Sequence, residues 1–477
     1  MEFNVTDKID LFLPEILRTL PPGCFLAGGC VRDLLRGCTP DDYDVAVQDD
    51  VGAVVEAFAA QSGQKIIDLG NGRYKLWRLV GQGFQMDFVP LNGATLAEDI
   101  GHRDFTINAM TYEPYSKTLT DLHGGLKHLA EKRIVMVSPA AFINDPLRLL
   151  RAFRFAAALD FSIDDATMAI IREHAYLAPE PAAERILAEL TKLLAVRRAA
   201  LHLRAMAQSG VLFALFPEME PMAEHRANNF SDISALEHTF RVVECLEDLL
   251  LEPARYWPAD ILERQLFRVF GEPKTWFRLK LAALLHDVGK PAAKSVGPDG
   301  RVHYYGHEDK GSETATQICR RLRCSNADIW QISSMIGAHM RALTMFNNHR
   351  KAKRPLHKRA VFYLDYNQFL PTLFALFWAD AYSKKATLKE GYLEFILELI
   401  RVYADEFLPR NQRALPLNGH DLMMAFKPKA IMLTFMIREL AVENVIRAEF
   451  TREQALKVAK DTYHMLNSRE RQPVKKA

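Results

Sequence analysis

The feature that most constrains this sequence is a pair of glycines between a short apolar run and a helix-prone segment near the N-terminus. The run Phe25-Leu-Ala ends at Gly28-Gly29, and Arg32 follows closely. Glycines let backbone N–H groups approach a ligand, and a helix that begins just after them favours anionic groups such as phosphates. The segment therefore predicts a phosphate-binding turn between a strand and a helix, with Gly28, Gly29 and Arg32 around the phosphates.

A pair of acids follows further along the chain. Asp42 and Asp44 alternate at the start of an apolar, β-prone run that continues to Val47. In an extended strand, both side chains point to the same side. Two like charges side by side are costly unless a cation lies between them, and hard oxygen ligands suit Mg²⁺. A phosphate cradle together with an acid pair indicates metal-dependent phosphoryl or nucleotidyl transfer.

The order Gly-Gly-x-Val-Arg-Asp and then Asp-x-Asp resembles the head of polymerase-β-like nucleotidyltransferases. Among these it is most similar to class II tRNA CCA-adding enzymes and bacterial poly(A) polymerases. The resemblance implies template-independent addition of CMP and/or AMP from CTP or ATP to tRNA 3′ ends, with release of pyrophosphate. It also implies that Asp42 and Asp44 hold Mg²⁺, with Asp87 as a third carboxylate. Poly(A) tailing of general RNA uses the same kind of head and stays an alternative.

A second segment agrees with this resemblance. His102–Met110 is similar to the family's Arg-Arg-Asp-Phe-Thr-x-Asn-Ala sequence. The resemblance places Asp104 near the ribose hydroxyls, with Arg103 and Asn108 around the nucleotide. His102 stands where the family has its first arginine, so a phosphate contact from that position is not carried over.

A third segment begins a helix. Asn or Asp followed by Pro is a strong helix start, which predicts Asp145 at the cap and Pro146 in the first turn. Asp145 and Arg148 then share a face, where an acceptor and a donor can read the Watson–Crick edge of a base. The family uses Glu-Asp-x-x-Arg as such a template, and its Glu is Asn144 here. An ordinary capped helix with an ion pair is the structural alternative. The resemblance adds two further nucleotide-binding residues, Arg151 and Arg154.

An independent group of histidines and acids lies in the middle of the chain. His286 and Asp287 are adjacent after an apolar helical run. Imidazole suits transition metals, while carboxylates suit harder ions. The pattern resembles the HD phosphohydrolases, and the resemblance assigns these ligands: His238, His286, Asp287 and Asp380, with His307 and His339 as second-metal or phosphate contacts. A divalent transition metal or Mg²⁺ there would activate water for phosphate-ester hydrolysis.

The combination of head, helical neck and HD domain is similar to tRNA nucleotidyltransferases of gamma-proteobacteria, where the HD domain is linked to phosphatase and 2′,3′-cyclic phosphodiesterase activity. This layout favours tRNA over general RNA. Two hypotheses of another class stay open: a protein that works mainly as an HD metal-dependent phosphohydrolase, and an RNA-binding scaffold without chemistry. Retention of both Asp42 and Asp44 argues against a degenerate head.

The organisation of the chain indicates an α+β protein. A chain of 477 residues is expected to form about three or four domains. Strand-like runs alternate with helical ones early in the chain, and after Pro146 only helical periodicity is apparent. These patterns predict a polymerase-β-like nucleotidyltransferase α/β head over residues 1–140. An all-helical neck (141–225), an HD domain (226–385) and a helical C-terminal region (386–477) follow.

Charge and cysteine usage indicate which partners and which cellular compartment to expect. The net charge of +2 excludes a globally basic nucleic-acid binder, although Arg350–Arg359 is a cationic cluster that suits either RNA contact or an exposed face. The six cysteines form no Cys-x-x-Cys pair, as expected for a reducing compartment. No run approaches a membrane span and no signal peptide is apparent, so we expect a cytoplasmic protein without membrane contact. The sequence gives no indication of oligomeric state.

Overall fold

The computed structural model describes residues 5–70, 75–81, 83–225, 233–264, 266–348, 355–384 and 391–470. The chain forms two compact units, Met1–Pro217 and Glu218–Ala477. The first unit contains most of the β-structure, and the second is built almost entirely from helices. The predicted α+β class is confirmed. The finer division into four domains stays a prediction.

The first unit combines a sheet with helices. Its strands are β1 (Cys24–Ala27), β2 (Asp42–Val47), β3 (Ile66–Asp68), β4 (Trp77–Val80), β5 (Gln85–Pro90), β6 (Met110–Glu113), β7 (Thr118–Asp121), β8 (Arg133–Ile134) and β9 (Ser162–Ile163). Its helices are α1 (Val5–Phe12), α2 (Gly29–Leu35), α3 (Val51–Ser62), α4 (Leu96–Gly101), α5 (Gly125–Ala130), α6 (Ala140–Asn144), α7 (Leu147–Leu159), α8 (Asp165–Glu173), α9 (Ala183–Ala195), α10 (Ala200–Gln208) and α11 (Val211–Leu215).

A seven-stranded mixed sheet organises the first unit, with strand order β3-β4-β5-β2-β1-β6-β7. Strands β2 and β5 run parallel, and β1 pairs with β2 and β6 in antiparallel fashion. Tyr43 and Val45 on β2 are buried, whereas Asp42 and Asp44 are exposed. This alternation follows from the two-residue period of a strand. It directs both predicted acids away from the apolar core, as the sequence indicated.

The second unit is helical. Its helices are α12 (Ala235–Leu251), α13 (Pro253–Tyr256), α14 (Ala259–Leu262), α15 (Pro273–Leu285), α16 (Lys290–Ala293), α17 (His307–Arg321), α18 (Asn326–Ala338), α19 (Arg341–Asn348), α20 (Pro355–Tyr366), α21 (Leu370–Ser383), α22 (Tyr392–Val402), α23 (Leu408–Asn411), α24 (Gly419–Phe426), α25 (Ala430–Ile446) and α26 (Arg452–Glu470). A two-stranded hairpin joins β10 (Ser295–Val296) to β11 (Val302–His303).

Helix α21 and the C-terminal half of α15 form the interior of the second unit. The C-terminal half of α15 is fully buried, as is most of α21. A helix that is apolar all round is expected in a core. Phe374, Phe377 and Trp378 are buried in this interior. The two helices carry His286 and Asp287 (directly after α15) and Asp380 (on α21) into this interior.

Some expectations on secondary structure and surface were wrong or lie outside the described residues. Strands do occur after Pro146, namely β9, β10 and β11. They were not predicted because each has two residues and is too short to show a hydrophobic period. The first residues of the cationic cluster, 350–354, and the basic tail lie outside the described residues. Within α20, His357 contacts Glu439 and Arg359 bonds to Glu398, which leaves this part of the cluster engaged within the unit. Among the described helices, none is long and apolar enough to cross a membrane.

Candidate active site and metal centre

The glycine turn lies between β1 and α2, as predicted. Gly28 has a φ of +76°, a backbone conformation that favours glycine, and α2 begins at Gly29. A Cβ at Gly28 would lie 3.2 Å from Arg103 Nη1 and 3.4 Å from Asp44 Oδ2. The turn therefore brings backbone, a cation and one of the predicted metal-binding carboxylates to the same point.

The predicted acids lie on neighbouring parallel strands. Asp44 on β2 is directly paired with Asp87 on β5. Desolvation raises the pKa of Asp44. The nearby carboxylates of Asp87 and Asp42 also raise it, while the guanidinium of Arg103 lowers it. Such repulsion is the electrostatic condition that a bound cation relieves.

Asp87 has an internal partner. Both of its oxygens accept hydrogen bonds from Arg78 at 2.7 Å. Among the described residues, the three acids of the head do not form a set with ligand atoms within 4.8 Å of one another. A role for Asp87 in completing or orienting the metal site stays a prediction, and Arg78 is the residue with which a metal would compete.

Buried polar side chains connect the glycine turn to the helical part of the first unit. Arg32 Nη1 donates to Asn108 Oδ1 at 2.7 Å, and Asn108 Nδ2 donates to Asp104 Oδ1 at 3.1 Å. Asp104 Oδ2 accepts two bonds from Arg151, at 2.6 and 2.8 Å. Although burial by itself would raise the pKa of Asp104, Arg151 and Asn108 lower it. Four residues singled out in the sequence thus form one connected network.

Glu189 on α9 extends this network and was missed by the sequence analysis. Its carboxylate accepts from Arg154 Nε at 2.8 Å and lies 3.5 Å from Arg151 Nη1. Phe155 lies beneath the guanidinium of Arg154, 3.5 Å from its Cζ to the ring centroid. Burial lowers the pKa of Arg154, and Glu189 counteracts that shift. Glu189 occupies the apolar stripe of α9 next to Leu190, and an acid in such a stripe was the available signal.

We expect Glu189→Ala to destabilise the first unit by about 3 kcal/mol, because removing one partner of a buried ion pair leaves charge uncompensated. Its side chain is only 5% exposed. The measurement is a comparison of unfolding free energies by urea denaturation. Glu184→Ala, on the exposed face of the same helix, is the matched control and should change little. An equal loss of unfolding free energy in the two variants would contradict a stabilising role of the ion pairs of Glu189.

Asp145 and Arg148 lie at the start of α7, but not as the sequence predicted. The expected cap by the Asp145 side chain is wrong: α7 begins after Pro146, with no side-chain cap. The Asp145 carboxylate instead accepts from Arg185 at 2.9 Å, since a guanidinium attracts it more strongly than a backbone amide. Arg148 donates to the carbonyls of His102 and Arg103, at 2.6 and 3.3 Å, and lies 4.0 Å from Asp145.

These side chains line one cleft of about 480 Å³. Of the predicted residues, it contains Gly28, Gly29, Arg32, Asp44, Arg103, Asp104, Asn108, Asp145, Arg148, Arg151 and Arg154. Asp42 and Asp87 are not among its lining residues, while Asp99 and Phe155, which sequence reasoning missed, are. A second cavity of about 880 Å³ shares Asp145 and Arg148 with it and includes Arg185. The cleft combines five arginines with four aspartates, which offers cations for phosphates and carboxylates for a metal.

The second unit contains the predicted histidine and acid centre, and all six residues are buried. They form two groups whose ligand atoms lie within 4.8 Å of one another: His238, His286 and Asp380, and Asp287, His307 and His339. Asp287 joins the groups, because its Oδ2 lies 3.2 Å from His286 Nε2 and its Oδ1 lies 3.4 Å from His307 Nε2. Each group is a candidate site for one ion, and Asp287 lies between the two groups.

The histidine tautomers fit a metal. The Nδ1 atoms of His286, His307 and His339 lie 2.6–2.8 Å from backbone carbonyls and donate to them, which leaves the Nε2 atoms facing the other ligands of the centre. His286 Nε2 is buried without a hydrogen-bond partner. His307 Nε2 and His339 Nε2 lie 3.1 Å apart, a distance at which two lone pairs need a cation or proton between them. Burial lowers the pKa of His339 to about 3, which keeps its ring neutral.

Two lysines complete the centre. Lys290 Nζ lies 2.5 Å from Asp287 Oδ2, and Lys384 Nζ lies 2.6 Å from Asp380 Oδ1. Although burial alone would raise the pKa of both carboxyl groups, the neighbouring cations and histidines hold it well below the ordinary range. The centre therefore combines two carboxylates, four imidazole rings and two ammonium groups.

The sequence matches three family models that agree with this geometry. Residues 24–135 match the "Poly A polymerase head domain", residues 160–222 the "Probable RNA and SrmB- binding site of polymerase A", and residues 235–384 the "HD domain". Fold and sites together define a polymerase-β-like nucleotidyltransferase with an HD domain.

Curated relatives extend these matches over most of the chain. The A-adding tRNA nucleotidyltransferase of Deinococcus radiodurans is 34% identical over 81% of this chain and 83% of its own length. The CC-adding tRNA nucleotidyltransferase of Thermus thermophilus is 32% identical over 84% of this chain and 85% of its own length. The chain belongs to the family of tRNA nucleotidyltransferases and bacterial poly(A) polymerases, and it is a nucleotidyltransferase. Divalent metal use follows from the family.

Solved structures share the fold. A CCA-adding enzyme in its apo form I has a TM-score of 0.66 at 18% identity, covering 96% of this chain and 97% of that one. The Thermotoga maritima CCA-adding enzyme complexed with tRNA has a TM-score of 0.62 at 18% identity, covering 96% of this chain and 98% of that one. These similarities confirm the predicted polymerase-β-like head followed by helical regions.

Proposed function

We propose that this chain adds CMP and/or AMP from CTP or ATP to the 3′ end of tRNA, which is CCA addition or a part of it. The observation that carries the proposal is the cleft in which the glycine turn, Asp44 and the network around Asp104 meet. The names of the relatives, A-adding and CC-adding tRNA nucleotidyltransferases, support tRNA as the RNA. We place the reaction in the cytoplasm, in keeping with six free thiols.

The residues of the cleft have distinct tasks in this reaction. The 3′-oxygen of the RNA attacks the α-phosphorus of the nucleotide, the bond to the β-phosphate breaks, pyrophosphate leaves, and the hydroxyl proton passes to solvent. Asp42 and Asp44 would hold Mg²⁺, which supplies charge stabilisation and a lowered hydroxyl pKa when bound. The Gly28 and Gly29 backbone and Arg32 bind the phosphates, and further contacts come from Arg103, Asn108, Arg151 and Arg154. Asp104 is assigned to the ribose hydroxyls.

Selection of the base is assigned to Asp145 and Arg148. A carboxylate and a guanidinium can together read a Watson–Crick edge. Both side chains have internal partners in this structure, because Arg185 contacts Asp145 and backbone carbonyls accept from Arg148. Reading a base therefore requires an exchange of these hydrogen bonds. Asn144, exposed beside them where the family has Glu, leaves the choice between CTP and ATP to experiment.

The test uses tRNA ending before CCA, tRNA ending in CC and a generic oligonucleotide, each with one labelled nucleotide and Mg²⁺. We expect incorporation into at least one of the tRNAs and at least tenfold less into the oligonucleotide. The pattern of CTP and ATP use distinguishes CCA, CC and terminal A addition. Equal tailing of all three RNAs with ATP would favour the alternative, a poly(A) polymerase. No incorporation by folded protein would exclude the proposal and favour the HD phosphohydrolase alternative.

A second activity is favoured by the HD centre. We propose that its six buried ligands hold divalent transition metals or Mg²⁺ and that it hydrolyses phosphate esters. Two Nε2 atoms 3.1 Å apart and an unpartnered buried Nε2 support metal occupancy. In hydrolysis, the oxygen of water bonds to phosphorus, the ester bond breaks, and the leaving alcohol takes up a proton. Lys290 and Lys384 would stabilise the phosphate charge.

A further inference from the structure

An exposed aromatic stack lies next in sequence to the HD centre. After β11, the chain continues through Tyr304, Tyr305 and Gly306 into α17, whose first residue is the proposed ligand His307. The ring of Tyr305 is parallel to that of His303, with an interplanar angle of 10° and centroids 5.0 Å apart. Tyr305 is 79% exposed, more than any other large apolar or aromatic side chain in the described part of the chain.

The stack is tied to the centre through Tyr304. Its carbonyl accepts from His307 Nδ1 at 2.8 Å, and its ring centroid lies 5.9 Å from Lys290 Nζ. Lys290 is in turn paired with Asp287. Adjacent Cα atoms are about 3.8 Å apart, so the backbone of Tyr305 lies close to Tyr304, which contacts His307 and Lys290. Gly306, with a φ of +73°, then turns the chain into α17.

An exposed, parallel aromatic pair has a specific chemical use. Every nucleobase has a π-face, and stacking of a base on an aromatic side chain is tolerant of base identity. Single-stranded RNA ends are commonly bound in this way. Phosphate binding by Lys290 and Lys384 together with base stacking on Tyr305 would recognise the two ends of a nucleotide. A plain phosphate ester would use only the first of these contacts.

We propose that Tyr305, supported by His303, is a base-stacking platform that gives the HD centre a preference for phosphate esters that carry a nucleobase, including RNA ends. This inference rests on the proposed hydrolytic function of the centre. It names a residue of this chain, Tyr305, that sets the preference of that function for esters with a base over small phosphomonoesters.

The test compares two substrates that differ in the base, adenosine 3′-phosphate and methyl riboside 3-phosphate, with the full chain and Mg²⁺, Mn²⁺, Co²⁺ or Ni²⁺. The quantity of interest is the ratio of kcat/KM for the two. We expect Tyr305→Ala to reduce this ratio on the order of tenfold, through KM for the adenosine substrate, because base stacking contributes about 1–3 kcal/mol per base. Tyr305→Phe keeps the ring and should retain most of the ratio.

Tyr115→Ala is the matched control, since Tyr115 is also an exposed tyrosine, 67% exposed, and lies in the first unit. It should leave the ratio unchanged. Equal kcat/KM of the parent chain for both substrates would contradict base stacking on Tyr305, and so would an unchanged ratio in Tyr305→Ala. Either result would leave the proposed hydrolytic function intact. Hydrolysis of neither substrate with any of the metals would overturn both. Thermal melting of each variant verifies that the exposed substitution leaves the fold intact.

Discussion

Asp42→Ala and Asp44→Ala are each expected to reduce nucleotide addition by roughly a thousandfold. The two carboxylates are the proposed Mg²⁺ ligands, metal charge stabilisation amounts to several kcal/mol, and each 1.4 kcal/mol corresponds to a factor of ten. The loss should appear in kcat at saturating nucleotide and RNA. Addition of one labelled nucleotide under single-turnover conditions measures it directly.

The fold should be unaffected by either substitution, because both side chains are exposed and neither packs in the core. Asp41→Ala is the matched control, since Asp41 is an exposed acid directly before the pair and its backbone carbonyl, which the substitution keeps, accepts from the amide of Gln85. Near-normal activity of either test variant would show that its carboxylate is not a metal ligand. Asp44 has the stronger structural support, because it lines the cleft and lies near the Gly28 turn.

Local patterns predicted the elements around the acid pair. A glycine pair after a β-prone run determines where α2 begins, and two-residue alternation determines that Asp42 and Asp44 face the same way. The order of motifs also indicated that Asp87 belongs beside them, which the parallel register of β2 and β5 supports. These features depend on neighbouring residues and on the periodicity of a strand, and both can be read from a sequence.

Partners distant in sequence could not be predicted. Arg78 bonds to Asp87 and Arg185 bonds to Asp145 because the fold places these guanidinium groups beside carboxylates that attract them. A charged residue on a helix is usually exposed, so Glu189 gave only the signal of its place on the apolar stripe of α9. The error over the Asp145 cap has the same origin. A local propensity was overridden by an ion pair between residues 40 positions apart.

The ligands of the HD centre were predicted from the resemblance to HD phosphohydrolases, and the fold brings these distant residues together. His286 and Asp287 follow a helix whose C-terminal half is buried, and Asp380 lies near the end of another largely buried helix. Polar residues in such helices must be satisfied when buried, which makes them recognisable as functional candidates. The lysines that pair with Asp287 and Asp380 were not singled out, since a lysine after a helix is usually at the surface.

His286→Ala combined with Asp287→Ala is expected to abolish hydrolysis of phosphate esters while nucleotide addition stays within about threefold of the parent chain. Nucleotide addition is assigned to the cleft of the first unit, and every proposed HD ligand belongs to the second. The double substitution removes the shared carboxylate and a ligand of the first group, so the metal content should fall as well. Element analysis of the purified protein, beside the two activity assays, measures that loss.

Stability must be separated from catalysis in this experiment, because both residues are buried and Asp287 neutralises Lys290. Loss of a bound ion and of the ion pair is expected to cost about 1–3 kcal/mol, seen as a lower melting temperature of the second unit. Asp287→Asn keeps the shape of the side chain and removes its charge, so it should also abolish hydrolysis with a smaller loss of stability. A variant that stays folded but loses nucleotide addition would show that the HD centre is coupled to the head, and that the two activities are not modular.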